Sequence, residues 1–129
     1  MPDPLASQRA VALVVEDEAL VRMVNADILD EAGFQVLEAA NADEALRLFE
    51  AEPAIALVVT DIEMPGSMNG LDLARRLFER RPSMPVIVIS GRMRPDPASL
   101  PPVTRFVPKP YAPNVLLRAV EEAMASTAT

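Results

Sequence analysis

The sequence predicts a three-layer α/β domain built on a parallel sheet. Five short apolar segments alternate with helical patterns along the 129 residues. The first, third and fourth segments are nearly continuous in Val, Ile, Leu and Ala, which is typical of strands buried on both faces of a parallel sheet. Repeated alternation of strand and helix is typical of α/β sandwiches. Half of the residues are apolar, so one domain with a single core fits this length.

The first half of the chain predicts two strands and a helix between them. Residues 10–15 (AVALVV) form the first strand, and residues 19–32 have apolar side chains at helical spacing. Gly33 follows as a helix stop, because glycine readily adopts the left-handed backbone found there. Residues 35–39 (QVLEA) are less apolar than the other strands, so they indicate an edge strand.

Helical signals also flank the third strand. Asn41 is a suitable N-cap for a helix over residues 42–51, and Glu44 completes a start similar to a capping box. Residues 55–60 (IALVVT) form the third strand. Residues 71–81 have a further amphipathic pattern, which Pro82 ends.

Prolines shape the last third of the chain, where nine of the 13 fall between Pro82 and Pro113. Residues 85–90 form the fourth strand and residues 105–109 the fifth. Pro108 lies inside the fifth strand and has no N–H to donate to a neighbour, so that strand belongs at a sheet edge. Residues 92–103 contain four prolines, which leave room for at most one helical turn. Pro113 opens the last helix.

Polar side chains follow four of the five predicted strands. They are Glu16, Asp17 and Glu18 after the first strand, Asp61 after the third, Ser90 at the end of the fourth, and Lys109 at the end of the fifth. Ligands of open parallel sheets bind beyond the carboxyl ends of the strands. We therefore expect these groups to converge, although each acid alone also fits a solvated loop or a helix cap.

This set of residues favours phosphoryl chemistry with a hard cation. Clustered carboxylates resist ionisation unless they share a cation, and oxygen ligands suit Mg²⁺. Glu16, Asp17 and Asp61 together carry −3, which Mg²⁺ and Lys109 balance. A carboxylate can act as a nucleophile towards a phosphoryl group and form an acyl phosphate. A metal ion and a lysine would hold the phosphoryl oxygens where charge develops.

Composition excludes several other classes of site. The chain has no histidine and no cysteine, which excludes a Cys/His zinc site, a Ser-His-Asp or Cys-His nucleophile, and a disulfide framework. The net charge of −7 argues against a broad nucleic-acid-binding surface. The longest apolar runs are far shorter than the ~20 residues that span a bilayer. The N-terminal residues do not have the pattern of a signal peptide, so a cytoplasmic location is expected.

The motifs, taken together, resemble the receiver domain of two-component response regulators. The matching segments are VVEDE (14–18), VVTDIEMPGSMNG (58–70), VIVIS (86–90) and FVPKPY (106–111), in the order and near the spacing of the family. The resemblance covers about residues 9–125, between an N-terminal extension (1–8) and a tail (126–129). It implies a doubly wound, flavodoxin-like sheet of order 2-1-3-4-5.

The resemblance also implies a role for each site residue. Asp61 would accept a phosphoryl group from a histidine kinase or a histidine phosphotransfer protein. Mg²⁺ would be bound by Glu16, Asp17, Asp61 and the backbone carbonyl of Glu63. Lys109 would contact the phosphoryl group, and Ser90 and Phe106 would be the switch residues. The Lys109–Pro110 peptide bond would be cis.

Three departures from the family pattern bear on these expectations. Glu16 stands where aspartate is common. The loop from Asp61 to Gly70 is one residue longer than usual, which predicts a local bulge. The segment between Ser90 and Lys109 is shorter and rich in proline, so the fourth helix of the family is degraded. Because that helix normally contributes to output and dimerisation, the downstream protein and a possible homodimer stay open.

Alternative functions are weighed against the phosphorylation switch. No output domain fits in 129 residues, so the chain is expected to be either a stand-alone receiver or a piece of a larger regulator or hybrid kinase. A receiver fold used only for binding, without phosphorylation, is a second reading. An enzyme is a third: the acidic first loop would repel a flavin phosphate, and a phosphatase would have only Glu63 as its second carboxylate. We expect no enzymatic activity beyond the phosphorylation and slow dephosphorylation of Asp61 itself.

Overall fold

In a computed structural model, which describes residues 9–127, the chain folds into a five-stranded parallel sheet with helices on both faces. The strands are β1 (Val11–Val15), β2 (Gln35–Ala39), β3 (Ile55–Asp61), β4 (Val86–Ser90) and β5 (Thr104–Pro108). The helices are α1 (Ala19–Glu31), α2 (Ala42–Ala51), α3 (Gly70–Arg80) and α4 (Pro113–Thr127). The strand order is β2-β1-β3-β4-β5, so the predicted fold class is confirmed.

Alternate residues of the central strands face two separate hydrophobic cores. In β1, Val11, Leu13 and Val15 pack in the core beneath α2 and α3. Ala12 and Val14 pack in the other core, beneath α1 and α4. All five residues of β1 are buried, which is why the strand reads as a continuous apolar run.

The edge strands and the helix ends follow the sequence signals. β2 and β5 are the two edges of the sheet, as their weaker pattern and Pro108 predicted. Gly33 follows α1 with a φ of 105°, a conformation that glycine adopts without steric cost. The Asn41 side chain accepts a hydrogen bond from the backbone N–H of Glu44 at 2.8 Å, which confirms the predicted N-cap of α2.

The proline-rich segment between β4 and β5 contains no α-helix. Its regular structure is a single 3-10 turn, Pro97–Ser99, capped by the Asp96 side chain. The predicted degradation of the fourth helix is therefore confirmed. The helical layer on this face of the sheet therefore consists of α2 and α3.

A few boundaries differ from the sequence predictions. β3 continues one residue further than predicted and ends at Asp61, and α4 continues past residue 125 to Thr127. The longer loop after β3 contains Gly66 at a φ of 103°. The N-terminal extension, residues 1–8, and the last two residues of the tail lie outside the described part of the chain. Within that part, no helix is long and apolar enough to cross a membrane.

Candidate functional site

The carboxyl ends of four strands bring the predicted polar residues to one edge of the sheet. Glu16 directly follows β1, Asp61 and Ser90 are the last residues of β3 and β4, and Lys109 directly follows β5. The parallel ladder continues past the strands, since the backbone N–H of Lys109 donates to the carbonyl of Ser90 at 2.9 Å. Except for Ser90, these side chains border a cavity of about 500 Å³. The Ser90 hydroxyl is hydrogen-bonded to Glu63, which also borders the cavity.

Three carboxylates form the base of this cavity. One oxygen from each of Glu16, Asp17 and Asp61 lies within 4.8 Å of the others. Glu16 and Asp61 are buried, with relative exposures of 2% and 6%, while Asp17 is exposed. This is the convergence that the sequence predicted for the first and third strands.

Burial makes the two buried carboxylates difficult to ionise. Burial, followed by the negative charge of Asp61, raises the pKa of Glu16 to about 8. Burial also raises the pKa of Asp61, while Glu16 and Lys109 act in the opposite direction. Such perturbed carboxylates in a cleft are typical of functional sites.

Lys109 contributes the positive charge of the cavity. Its Nζ lies 3.2 Å from Asp61 Oδ1. Partial burial lowers the pKa of Lys109, but the charges of Asp61 and Glu16 outweigh that effect and raise it above its ordinary value. The lysine therefore stays protonated and supplies one positive charge to a cavity lined by three carboxyl groups.

The chemistry of these donors fits Mg²⁺. All three side chains offer oxygen ligands, which hard cations prefer. Asp61 Oδ1 is buried and, among the described residues, has the ion pair with Lys109 but no hydrogen-bond donor. Lys109 offsets one negative charge of this buried site, and a bound cation would offset the charges that remain when all three carboxyl groups ionise.

Ser90 and Glu63 contact each other through their side chains, which the sequence did not predict. The Ser90 hydroxyl donates to Glu63 Oε1 at 2.8 Å and accepts from the backbone N–H of Met93 at 2.8 Å. Glu63 Oε1 also accepts from the backbone N–H of Arg92 at 3.2 Å. Glu63 Oε2 is buried and has no hydrogen-bond partner within the described chain. No local sequence pattern around Glu63 signals this contact.

Phe106 lies apart from the acidic cavity. It is in the middle of β5, opposite Val88 of β4, and packs half-buried against the core beneath α2 and α3. It also borders a surface groove formed by the proline-rich segment, with Pro97 and Leu100. The structure therefore places Phe106 two residues before the carboxyl end of β5, next to the segment where the fourth helix is missing.

A close backbone approach at the start of α3 supports Asp61. The Gly70 N–H donates to the carbonyl of Ile62 at 3.0 Å. A Cβ on Gly70 would lie 2.1 Å from the Asp61 carbonyl oxygen, so only glycine fits there. Asn69 caps α3 by accepting from the N–H groups of Leu71 and Asp72, and the Asp72 carboxylate in turn accepts from the Asn69 N–H. The Asn-x-x-Asp spacing is a sequence signal that could have identified this capping box.

A second unpredicted contact holds the segment after Lys109. The Lys109–Pro110 bond is cis, as the resemblance implied. Tyr111 follows it and donates from its hydroxyl to the side-chain carbonyl of Asn25, a buried residue of α1. This bond ties the segment that carries Lys109 to the helix that follows Glu16 and Asp17.

Comparison with known sequences identifies one family. Residues 12–121 match the family described as the response regulator receiver domain. The chain is 39% identical over 132 aligned positions to a response regulator receiver protein of Anaeromyxobacter, covering 94% of this chain and 53% of that protein. It is 37% identical over 120 positions to the sensor kinase CckA of Brucella abortus, covering 90% of this chain and 13% of the kinase. The chain thus spans about half or less of the length of these relatives.

Solved structures give the same result for the fold. A response regulator receiver protein from Sinorhizobium medicae superposes with a TM-score of 0.86 at 29% identity, covering 94% of this chain and 98% of that one. The receiver domain of the hybrid histidine kinase CckA superposes with a TM-score of 0.73 at 34% identity, covering 88% and 98%. Both neighbours are receiver proteins or domains of nearly the same length as this chain.

Proposed function

Because this chain belongs to the response regulator receiver domain family, whose members are signalling switches of two-component systems, we propose that Asp61 accepts a phosphoryl group. The donor is a phosphohistidine on a histidine kinase or a histidine phosphotransfer protein. The observation that carries the proposal is the buried Asp61 carboxylate, 3.2 Å from the only lysine of the chain and within 4.8 Å of two further carboxylates.

The proposed transfer replaces one bond to phosphorus by another. An oxygen of the Asp61 carboxylate attacks the phosphorus atom and forms an acyl phosphate. The bond from phosphorus to the partner's imidazole nitrogen breaks, and that nitrogen keeps the electron pair. These 129 residues contain no histidine, so the phosphohistidine lies outside them, on a separate protein or on another part of a longer one.

The neighbouring residues have distinct proposed roles. Glu16, Asp17, Asp61 and the backbone carbonyl of Glu63 would hold Mg²⁺, which when bound neutralises negative charge on the carboxylates and the phosphoryl oxygens. Lys109 holds one phosphoryl oxygen through its ammonium group, which already points at Asp61. It also keeps positive charge at the place where negative charge develops during transfer.

The acyl phosphate is proposed to change how the chain binds other proteins. Ser90 and Phe106 are the switch residues: the hydroxyl moves to the phosphoryl group, and the aromatic ring changes its packing next to the proline-rich segment. The downstream partner is a protein, or a second copy of this chain. The relatives are longer than this chain. The domain is therefore proposed to act either by itself or as part of a larger regulator or hybrid kinase.

Intact-mass measurement tests the phosphoacceptor. With acetyl phosphate and Mg²⁺, the chain is expected to gain the mass of one phosphoryl group, and with Mg²⁺-ATP alone to gain none. The gain should disappear in Asp61→Asn and when the Mg²⁺ is chelated. Labelling that survives in Asp61→Asn would overturn the assignment of Asp61. A folded wild-type chain that is never labelled would instead favour a receiver fold used only for binding.

A further inference from the structure

The Glu63 side chain already accepts the hydrogen bond from the Ser90 hydroxyl, the group that the proposed switch needs. Ser90 has one hydroxyl proton, and it is given to Glu63 Oε1 at 2.8 Å. The two lone pairs of the same oxygen face the backbone N–H groups of Arg92 and Met93. The hydroxyl is therefore fully engaged, and it has no second proton to give to a phosphoryl oxygen on Asp61.

Glu63 is also close enough to influence the acceptor site electrostatically. It borders the same cavity as Asp61 and Lys109. Its negative charge acts to raise the pKa of both Asp61 and Lys109. Phosphorylation would replace the single negative charge of the Asp61 carboxylate with a phosphoryl group that carries about −1.5 to −2, so a fixed carboxylate at Glu63 would oppose the product. Its second oxygen, Oε2, is buried without a hydrogen-bond partner in the described structure, so the side chain is held mainly through Oε1.

We propose that Glu63 is a positioning residue that competes with the phosphoryl group for the Ser90 hydroxyl. This inference rests on the phosphoacceptor role proposed for Asp61. In the unphosphorylated chain, the carboxylate keeps Ser90 and the start of the segment after β4 in one arrangement. In the phosphorylated chain, like charges push the carboxylate away, and the hydroxyl donates to the phosphoryl oxygen instead. Glu63 thereby sets how strong the hydrogen bond from Ser90 to the phosphoryl oxygen must be before the switch changes state.

A double-mutant cycle with a stable phosphoryl substitute separates this competition from charge alone. Beryllium fluoride in excess Mg²⁺ is titrated by calorimetry into the wild type, Glu63→Ala, Ser90→Ala and the double variant, each checked for cooperative unfolding. Glu63→Ala is expected to tighten binding roughly tenfold, because a charge-assisted bond to Ser90 no longer has to break. In the Ser90→Ala background, the same substitution should tighten binding only about two- to threefold, through charge.

Glu63→Gln is the matched control. The amide keeps an acceptor oxygen for Ser90 and has nearly the same shape, but it has no charge. The affinity of Glu63→Gln for beryllium fluoride should lie between the affinities of the wild type and Glu63→Ala. Part of its gain over the wild type should depend on Ser90. An equal gain from Glu63→Ala in both backgrounds would overturn the competition, as would no gain in either.

A measurement without any ligand distinguishes failure of this inference from failure of the proposed function. Amide hydrogen exchange of Arg92 and Met93 should be at least several-fold faster in Glu63→Ala than in the wild type, because the carboxylate anchors Ser90 and the Arg92 N–H. Unchanged exchange would show that Glu63 does not order this segment, and would overturn the inference. If the wild type does not bind beryllium fluoride while exchange is still faster in Glu63→Ala, the result contradicts the phosphoacceptor role and leaves the anchoring of Ser90 by Glu63 intact.

Discussion

At the scale of single residues, the acceptor carboxylate depends on backbone groups as much as on charge. Asp61 ends β3, and its carbonyl oxygen accepts from the Thr60 hydroxyl at 3.0 Å. The next residue, Ile62, is joined by backbone hydrogen bonds both to Ile89 of β4 and to Gly70 of α3. The position of the carboxylate is therefore fixed by a strand on one side and a helix start on the other.

We predict that Gly70→Ala destabilises the fold and displaces Asp61. The new Cβ would lie 2.1 Å from the Asp61 carbonyl oxygen and 2.8 Å from Ile62 Cα, and backbone atoms cannot yield as the end of a side chain can. The expected loss in the free energy of unfolding is about 3 kcal/mol or more. Urea unfolding measures the loss, and Mg²⁺ titration of any folded fraction should show weaker binding.

Gly91→Ala is the control at the other side of the cavity. Its Cβ would meet Lys109 Cβ at 3.5 Å, an ordinary contact, and its backbone needs no positive φ. We expect a change within about 0.5 kcal/mol. Equal losses for the two alanines would contradict the assignment of close backbone approach to Gly70 alone.

At the scale of elements, the sequence predicts regular strands and helices better than the contacts between their ends. The buried strands are identified because β1 and β4 bury every residue, which leaves an unbroken apolar run. The absence of a fourth helix is predicted because each proline in residues 92–103 forbids an interior helical position. The Glu63–Ser90 and Tyr111–Asn25 contacts join residues 27 and 86 positions apart in the sequence, and no local pattern encodes them.

The N-terminus of α3 is predicted to depend on its capping box. Asn69 satisfies two backbone N–H groups, and α3 supplies Leu73, Ala74 and Leu77 to the core next to β3 and β4. Asn69→Ala should cost about 1 kcal/mol of unfolding free energy, within a range of about 0.5–2. Asn114→Ala, at an exposed position of α4, is the comparison and should change it by less than about 0.5 kcal/mol. Thermal unfolding measures both, and equal values would show that the cap contributes nothing specific.

At the scale of the whole molecule, the topology rather than any single motif creates the candidate site. Glu16 and Asp17 follow β1, Asp61 ends β3, and Lys109 follows β5, so segments from the start, middle and end of the chain meet only in the folded sheet. The sequence could predict which residues converge, because parallel strands present their carboxyl ends at one edge. It could not predict that Glu63 binds Ser90, or that Phe106 lies away from the cavity, since both depend on packing in three dimensions.

A site assembled by the whole fold couples metal binding to global stability. Because β1 and β3 must both be in place to bring the carboxylates within 4.8 Å, the unfolded chain has no comparable site. Mg²⁺ should therefore stabilise the folded state, by about 1.4 kcal/mol for each tenfold increase in concentration above the dissociation constant.

Asp17→Asn should remove most of this gain while leaving metal-free stability within about 0.5 kcal/mol, since Asp17 is exposed. Urea unfolding across a Mg²⁺ series measures both quantities, with Asp27→Asn on the exposed face of α1 as the control that should respond like the wild type. If Asp17→Asn and Asp27→Asn respond equally to Mg²⁺, the cation is acting on general surface charge, and the acidic cavity is not its binding site.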